Sequence, residues 1–245
     1  MNNYKMTIQY DGGRYKGWQR LGNDEGTIQG KLENILKEQF GREIEITGCS
    51  RTDAGVHALA QIANFKIEEN LTPEEVKNIF NKYLPEDICV TKVMKVDERF
   101  HARYNAKEKT YVYKIWNKEY PDPFLRKYSM HVESPLDLQK MREAAESFIG
   151  KHDFTAFSTA TSKKKSMERE VYEIKIEKEN GLIQIRVRGN SFLYNMVRRM
   201  VGVLVDVGTG RRKPESVAEI IESKERLQAG SIALAKGLFL EDVKY

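Results

Sequence analysis

A chain of 245 residues, 40% hydrophobic and 31% charged, is long enough to bury one large core or two small ones and has the composition of an ordinary soluble protein. No apolar run approaches the roughly 20 residues of a membrane-spanning helix, and Met1-Asn2-Asn3-Tyr4-Lys5 lacks a signal-peptide core, so a cytoplasmic location is expected. Two cysteines and four histidines without ligand spacing exclude a disulfide framework and argue against a metal site, while a net charge of +5 points to an anionic partner.

Along the chain, Tyr4 to Tyr10 alternates apolar and polar residues, the period of a half-buried strand, and Asp11-Gly12-Gly13 ends it. The loop Arg14-Tyr15-Lys16-Gly17-Trp18-Gln19-Arg20 joins cations to aromatics, which suits phosphates and exposed bases; it reads equally as a polar loop with one anchoring Trp18. Thr27 caps a helix carrying Ile28, Leu32, Ile35, Leu36 and Phe40 at helical spacing. A strand over Glu43–Thr47 follows, then the connection Gly48 to Ala58, then a strand from Ala60 to Ile67. Thr72-Pro73-Glu74-Glu75 is a capping box with proline at the first helical position, opening a helix through Leu84; a strand runs from Ile88 to Val96. The order is β-α-β-β-α-β, the ferredoxin-like split unit.

The second half repeats that order loosely. Lys109–Trp116 is a strand with Tyr111, Tyr113 and Ile115 on one face. A helix is expected over 136–149, a polar loop over 153–168, and strands at Val171–Glu177 and Leu182–Arg188 joined by an Asn180-Gly181 turn. A mostly apolar helix is expected from Phe192 to Val207, with Ser191, Asn195, Arg198, Arg199 and Asp206 on its polar stripe. A short helix from Pro214 and a strand over Leu238–Lys244 close the chain. The expectation is an α+β fold of two ferredoxin-like halves, 1–104 and 105–245, with sheets side by side and a ligand cleft between them.

Charge is unevenly spread. Residues 101–130 hold seven Lys/Arg (among them Arg103) against three acids, and further clusters lie at Lys163-Lys164-Lys165 and Arg211-Arg212-Lys213. Interleaved with Trp18, Tyr104, Tyr111, Tyr113 and Trp116, these cations favour a nucleic-acid partner.

The stretch Gly48-Cys49-Ser50-Arg51-Thr52-Asp53-Ala54-Gly55-Val56-His57-Ala58 concentrates a guanidinium, a hydroxyl and a carboxylate between two strands. From spacing alone it is a hairpin loop whose Asp53 caps a turn, or a reactive carboxylate held on a rigid frame. No phosphate-binding P-loop occurs, Gly208-Thr209-Gly210 follows a helix and reads as its C-terminal cap, and no Ser or Cys is paired with His in a known acyl-transfer motif.

Arg51 to Ala58 resembles the active-site signature of the tRNA pseudouridine synthase A family. Tyr10-Asp11-Gly12, Gly17-Trp18-Gln19, Leu84-Pro85-Glu86-Asp87-Ile88, Phe100-His101-Ala102-Arg103, Lys109 to Tyr113, Asn190-Ser191-Phe192, Met196-Val197-Arg198 and Gly237-Leu238 match in the same order. The resemblance implies the pseudouridine synthase fold and isomerisation of uridine to pseudouridine in the anticodon arm of tRNA, at positions 38, 39 and 40, by a homodimer without cofactor or metal. It makes Asp53 the nucleophile, through attack on ribose C1′ or uracil C6, and Tyr111 the ring that stacks on the target base. Arg198 becomes the partner of the aspartate, and Arg51, Arg103, Arg14, Trp18 and Gln19 become RNA-binding residues. Departures fall at Ser231–Lys236, where the family often carries a proline, and at 163–170. Competing readings are a non-catalytic RRM-like RNA-binding protein, a related enzyme acting on other uridines, and a uridine methyltransferase using Cys49.

Overall fold

The computed structural model describes residues 1–22, 26–159 and 166–245. It is a mixed α+β protein of two compact units, Met1–Lys107 with Phe239–Tyr245, and Glu108–Leu238.

In the first unit, β1 (Asn2–Tyr10) lies between β4 (Ile88–Val96) and β3 (His57–Ile67), antiparallel to both. The alternation read from Tyr4 to Tyr10 is its inward face: Tyr4, Met6 and Ile8 are fully buried. Helix α1 (Ile28–Phe40) starts at Thr27, whose side chain accepts from the Gly30 amide, and buries Ile28, Leu32 and Leu36. Helix α2 (Pro73–Tyr83) carries the capping box as read, with the Thr72 hydroxyl accepting from the Glu75 amide and the Glu75 carboxylate accepting from the Thr72 amide.

The strand expected at Glu43–Thr47 is reduced to β2 (Thr47–Gly48), paired with β3. Side chains of α1 take the hydrogen bonds a ladder would have used. The Ile46 amide donates to Glu33 (3.0 Å) and its carbonyl accepts from Gln29 (3.0 Å). The final strand β10 (Leu238–Lys244) runs parallel to the start of β3, with Phe239 opposite His57 and Leu240 opposite Ala58, so the chain's end counts with the first unit.

In the second unit β5 (Glu108–Trp116), β9 (Leu182–Gly189), β8 (Glu168–Glu179) and β7 (Gly150–Asp153) form an antiparallel sheet, and β6 (Met130–His131) adds to the end of β5. The turn between β8 and β9 is Asn180-Gly181, with φ of 50° and 92°, the positive pair a tight hairpin demands. Helix α3 (Leu138–Glu146) is shorter than expected: the chain leaves it to make β7 and then a 3₁₀ turn over Thr155–Phe157. Much of this stretch read as polar loop. Instead Phe154 and Phe157 are fully buried, and Phe157 packs edge-on against Phe148. Each such ring contributes about 1.5–3 kcal/mol by leaving water, enough to pull a polar-looking segment inward. The cluster Lys163-Lys164-Lys165 lies outside the described residues.

Helix α4 (Met196–Gly208) begins four residues after the expected Phe192 because Asn195 has φ 63°, which no α-helix interior accommodates. It buries Met196, Val197, Met200, Val201, Val203 and Leu204, as its pattern required. Helix α5 (Ser216–Ser223) follows.

Candidate active site

The loop carrying Asp53 is held at both ends and at several points between. At its downstream end His57 already belongs to β3, stacks on Phe239 of β10 (4.6 Å) and accepts a hydrogen bond from the Gly12 amide (3.0 Å). Upstream, the Cys49 amide donates to the Ile62 carbonyl (2.7 Å). Between them the segment after β1 runs alongside: Trp18 N–H donates to the Thr52 carbonyl (3.0 Å), and Gly55 N–H to the Tyr15 carbonyl (3.3 Å). That approach requires glycine at position 17, where φ is +99° and a Cβ would stand 2.7 Å from the Thr52 carbonyl oxygen and 3.1 Å from the Ala54 nitrogen. Val56 N–H closes a turn onto the Asp53 carbonyl (3.1 Å). Thr52 and Val56 are buried, Arg51 and Ala54 are exposed, and Asp53 sits half-buried between them. The result is a carboxylate at a partly open tip whose flanking backbone is hydrogen-bonded on both sides.

The residues expected to meet RNA divide into two sets. Arg51 and Arg103 are exposed. Arg103 rises from a pinned turn: the neighbouring Ala102 amide donates to buried Asn64 (2.8 Å), and the Ala102 carbonyl accepts from the Tyr245 hydroxyl (2.7 Å). Arg14 is exposed and ion-paired with Asp87, which also accepts from the Tyr15 hydroxyl (2.7 Å). Burial, then its bond to Asp87, pushes the Tyr15 phenol above its ordinary range. Gln19 is occupied within the fold, donating to Gln29 (2.8 Å).

Trp18 is the correction. It is 1% exposed, with its ring against Gly48, where even a Cβ would come within 2.4 Å, so no base can stack on it. Its charged neighbours gave the loop a nucleic-acid composition, but the indole is the anchor of the alternative reading. Cys49 is likewise buried, its thiol donating to Gln61 (2.9 Å), which removes the exposure a nucleophilic cysteine needs.

In the second unit, Tyr111 and Tyr113 project from the same face of β5. Tyr113 is fully buried; its hydroxyl donates to the Leu234 carbonyl (2.7 Å), and burial holds its pKa far above the usual range despite the opposing charge of Arg198. Tyr111, 7% exposed, meets Phe192 edge-on at 5.4 Å. Arg198 is half-buried on the first turn of α4. Its Nε donates to the Ala233 carbonyl (2.8 Å) and its Nη1 to Asn195 Oδ1 (3.0 Å), while the Ala233 amide donates back to the Arg198 carbonyl (3.1 Å). Asn195 in turn donates to Thr159 (2.8 Å). One hold on the guanidinium is thus the Ala233 carbonyl, inside the stretch Ser231–Lys236 where the sequence departs from the resembled pattern.

Sequence reasoning missed Asn64, Gln61 and Asn195 as supports. For the first two the available signal was a pair of amides inside the otherwise apolar run 58–65; Asn195 read as part of the polar stripe of the expected helix, and nothing in the pattern marked it as a support. Among the described residues no group of three or more His, Cys, Asp or Glu side chains is arranged to hold a metal, and no helix is long and apolar enough to cross a membrane.

A family profile described as tRNA pseudouridine synthase matches residues 6–105 and 144–245. The chain belongs to the tRNA pseudouridine synthase family. Similar members include tRNA pseudouridine synthase A 2 of Bacillus cereus strain ZK / E33L, 59% identical over 245 residues and covering all of both chains. A tRNA pseudouridine synthase A of Bacillus sp. strain KSM-64 is 60% identical, again over the full length of both. One from Acetivibrio thermocellus is 41% identical over all of both chains. Membership in the tRNA pseudouridine synthase family makes the protein an isomerase, and both the Asp53 loop and the Arg198 helix lie inside the matched segments.

Proposed function

We propose that this chain converts uridine to pseudouridine in the anticodon arm of tRNA, at positions 38, 39 and 40, with Asp53 as nucleophile. The observation that carries the reading is the Asp53 loop: a partly open carboxylate on backbone tied to Tyr15, Trp18 and β3, the preorganisation that nucleophilic attack requires. The reaction balances within the substrate. The bond from N1 to C1′ breaks, a bond from C5 to C1′ forms, the C5 proton leaves and N1 gains one, so neither redox partner nor co-substrate enters. Asp53 supplies a transient covalent bond to C1′ or C6 while the base turns. Tyr111 offers a ring face to the base, and Arg198 favours the ionised aspartate. Arg51, Arg103 and Arg14 hold phosphates, with Gln19 and Trp18 shaping the loop beneath them. The active species is a cytoplasmic homodimer.

The test is tritium release from tRNA transcripts labelled at uridine C5, without added cofactor. The parent releases tritium and Asp53→Asn releases none, with labelled pseudouridine mapped to the three named positions. An RRM-like binding protein would bind the transcript and release nothing, and that result would sink the proposal. Sedimentation with and without tRNA reads the oligomer.

A further inference from the structure

Tyr10, Thr52 and Gln61 are nearly sealed from water (5%, 6% and 0% exposed), yet all three are polar and linked to one another. Gln61 grips Ser50 twice: the Ser50 amide donates to Oε1 (3.3 Å), and Nε2 donates to the Ser50 carbonyl (2.8 Å). A backbone N–H can only donate and a carbonyl can only accept, so these two bonds settle which end of the amide is which. The second Nε2 hydrogen then faces the Tyr10 hydroxyl (3.4 Å), which accepts it and shares a hydrogen bond of 2.7 Å with Thr52 Oγ1, in which either hydroxyl can donate. The hydrogen bonds therefore connect Gln61 through Tyr10 to Thr52, the residue before Asp53. An irregularity between β1 and β3 brings the ends of this chain together: Ile8 pairs with Gln61 but Tyr10 pairs with Ala58, a register shift that re-aims Tyr10 toward the loop.

We infer that Tyr10, Thr52 and Gln61 are positioning residues that set the rotation of the Asp53 backbone and hence the line of attack of its carboxylate. The inference rests on the reading of Asp53 as nucleophile. None of the three touches RNA; they act through Asp53 alone. Loop hydrogen bonds from Trp18 and Gly55 fix where the loop lies, and the side-chain relay adds a hold one residue from the reacting group.

The experiment compares Thr52→Val, Thr52→Ser and Tyr10→Phe in the full chain, each beside Asp53→Ala. Single-turnover tritium release at saturating tRNA, tRNA binding and thermal melting are all measured, with rates read below the lowest melting onset. Thr52→Val and Tyr10→Phe should slow release by about 10- to 100-fold, the loss expected of a misaligned nucleophile, with tRNA affinity changed by less than about twofold. Thr52→Ser, which keeps the hydroxyl, should restore the rate to within about threefold of the parent. If Thr52→Val does not fold, Tyr10→Phe with its ring intact carries the same comparison. Parent-like rates in the hydroxyl-deleting variants, or a Thr52→Ser as slow as Thr52→Val, would overturn the inference while a silent Asp53→Ala leaves the nucleophile in place. Turnover by Asp53→Ala would instead overturn the reading beneath it.

Discussion

Gly17→Ala tests whether the Asp53 loop is held as tightly as its hydrogen bonds indicate. The new Cβ would lie 2.7 Å from the Thr52 carbonyl oxygen, and ordinary contact begins at 3.4 Å, so the loop must retreat by the 0.7 Å difference or the segment around Trp18 must yield. Neither is easy, because Trp18 N–H holds that same carbonyl at 3.0 Å and the Gly17 carbonyl accepts from Ile28 N–H at 3.1 Å. The backbone conformation itself, at φ +99°, costs an L-residue about 1–3 kcal/mol. For a chain of this length that is a fall in Tm of about 2–12 °C before any clash is added. A nucleophile displaced on the order of 1 Å loses up to about 100-fold in rate. Gly41→Ala is the control: its φ is also positive (69°), but nothing lies within 4 Å of the added Cβ. Differential scanning fluorimetry and single-turnover tritium release should show both variants destabilised and only Gly17→Ala slowed. Equal rates for the two would refute the claim that this contact positions Asp53.

Other consequences are open to measurement. Arg198→Ala should fold, since its bonds to Ala233 and Asn195 are peripheral to the α4 core, and lose about 100-fold or more in turnover, the magnitude of a lost electrostatic partner. Unchanged turnover would remove it from the reaction. Tyr113 has its pKa raised by burial, so the folded state keeps a proton that the unfolded chain releases near pH 10; its stabilising contribution is complete below that pH and is lost as pH rises toward the folded value. Chemical denaturation between pH 9 and 11.5 should show stability falling, and Tyr113→Phe should make that slope shallower by about 1.4 kcal/mol per pH unit at its alkaline end. An identical slope in Tyr113→Phe would place the titration elsewhere. Single Arg51→Ala and Arg103→Ala variants should each reduce the salt dependence of tRNA binding by about one unit of slope; a slope matching the parent's would take that arginine off the phosphates.

The parts of the molecule that depend on near neighbours are legible in the sequence alone. Alternation from Tyr4 to Tyr10, the Thr72 to Glu75 capping box and the Asn180-Gly181 turn each encode a local geometry, and each appears where it was read. The motif from Arg51 to Ala58 marked the candidate site for the same reason, since its residues are consecutive. Charge and aromatic content also survive in sequence, which is why a nucleic-acid partner could be inferred.

Where side chains went after folding was not legible, because burial depends on elements far away in the chain. Trp18 read equally as an RNA contact or as a loop anchor, and Gly48 beneath its ring decided for the anchor. Residues 43–46 lost their strand to Gln29 and Glu33, whose reach back from α1 no periodicity records. Asn195 delayed the start of a helix through one positive φ, and Phe154 and Phe157 drew a polar-looking stretch into the core. The motif by itself determined which carboxylate to consider. Only the tertiary structure decided that its loop is clamped: Tyr10, Trp18 and Gln61 are separated from it in sequence, and the hydrogen bonds they make exist only once β1 and β3 have paired.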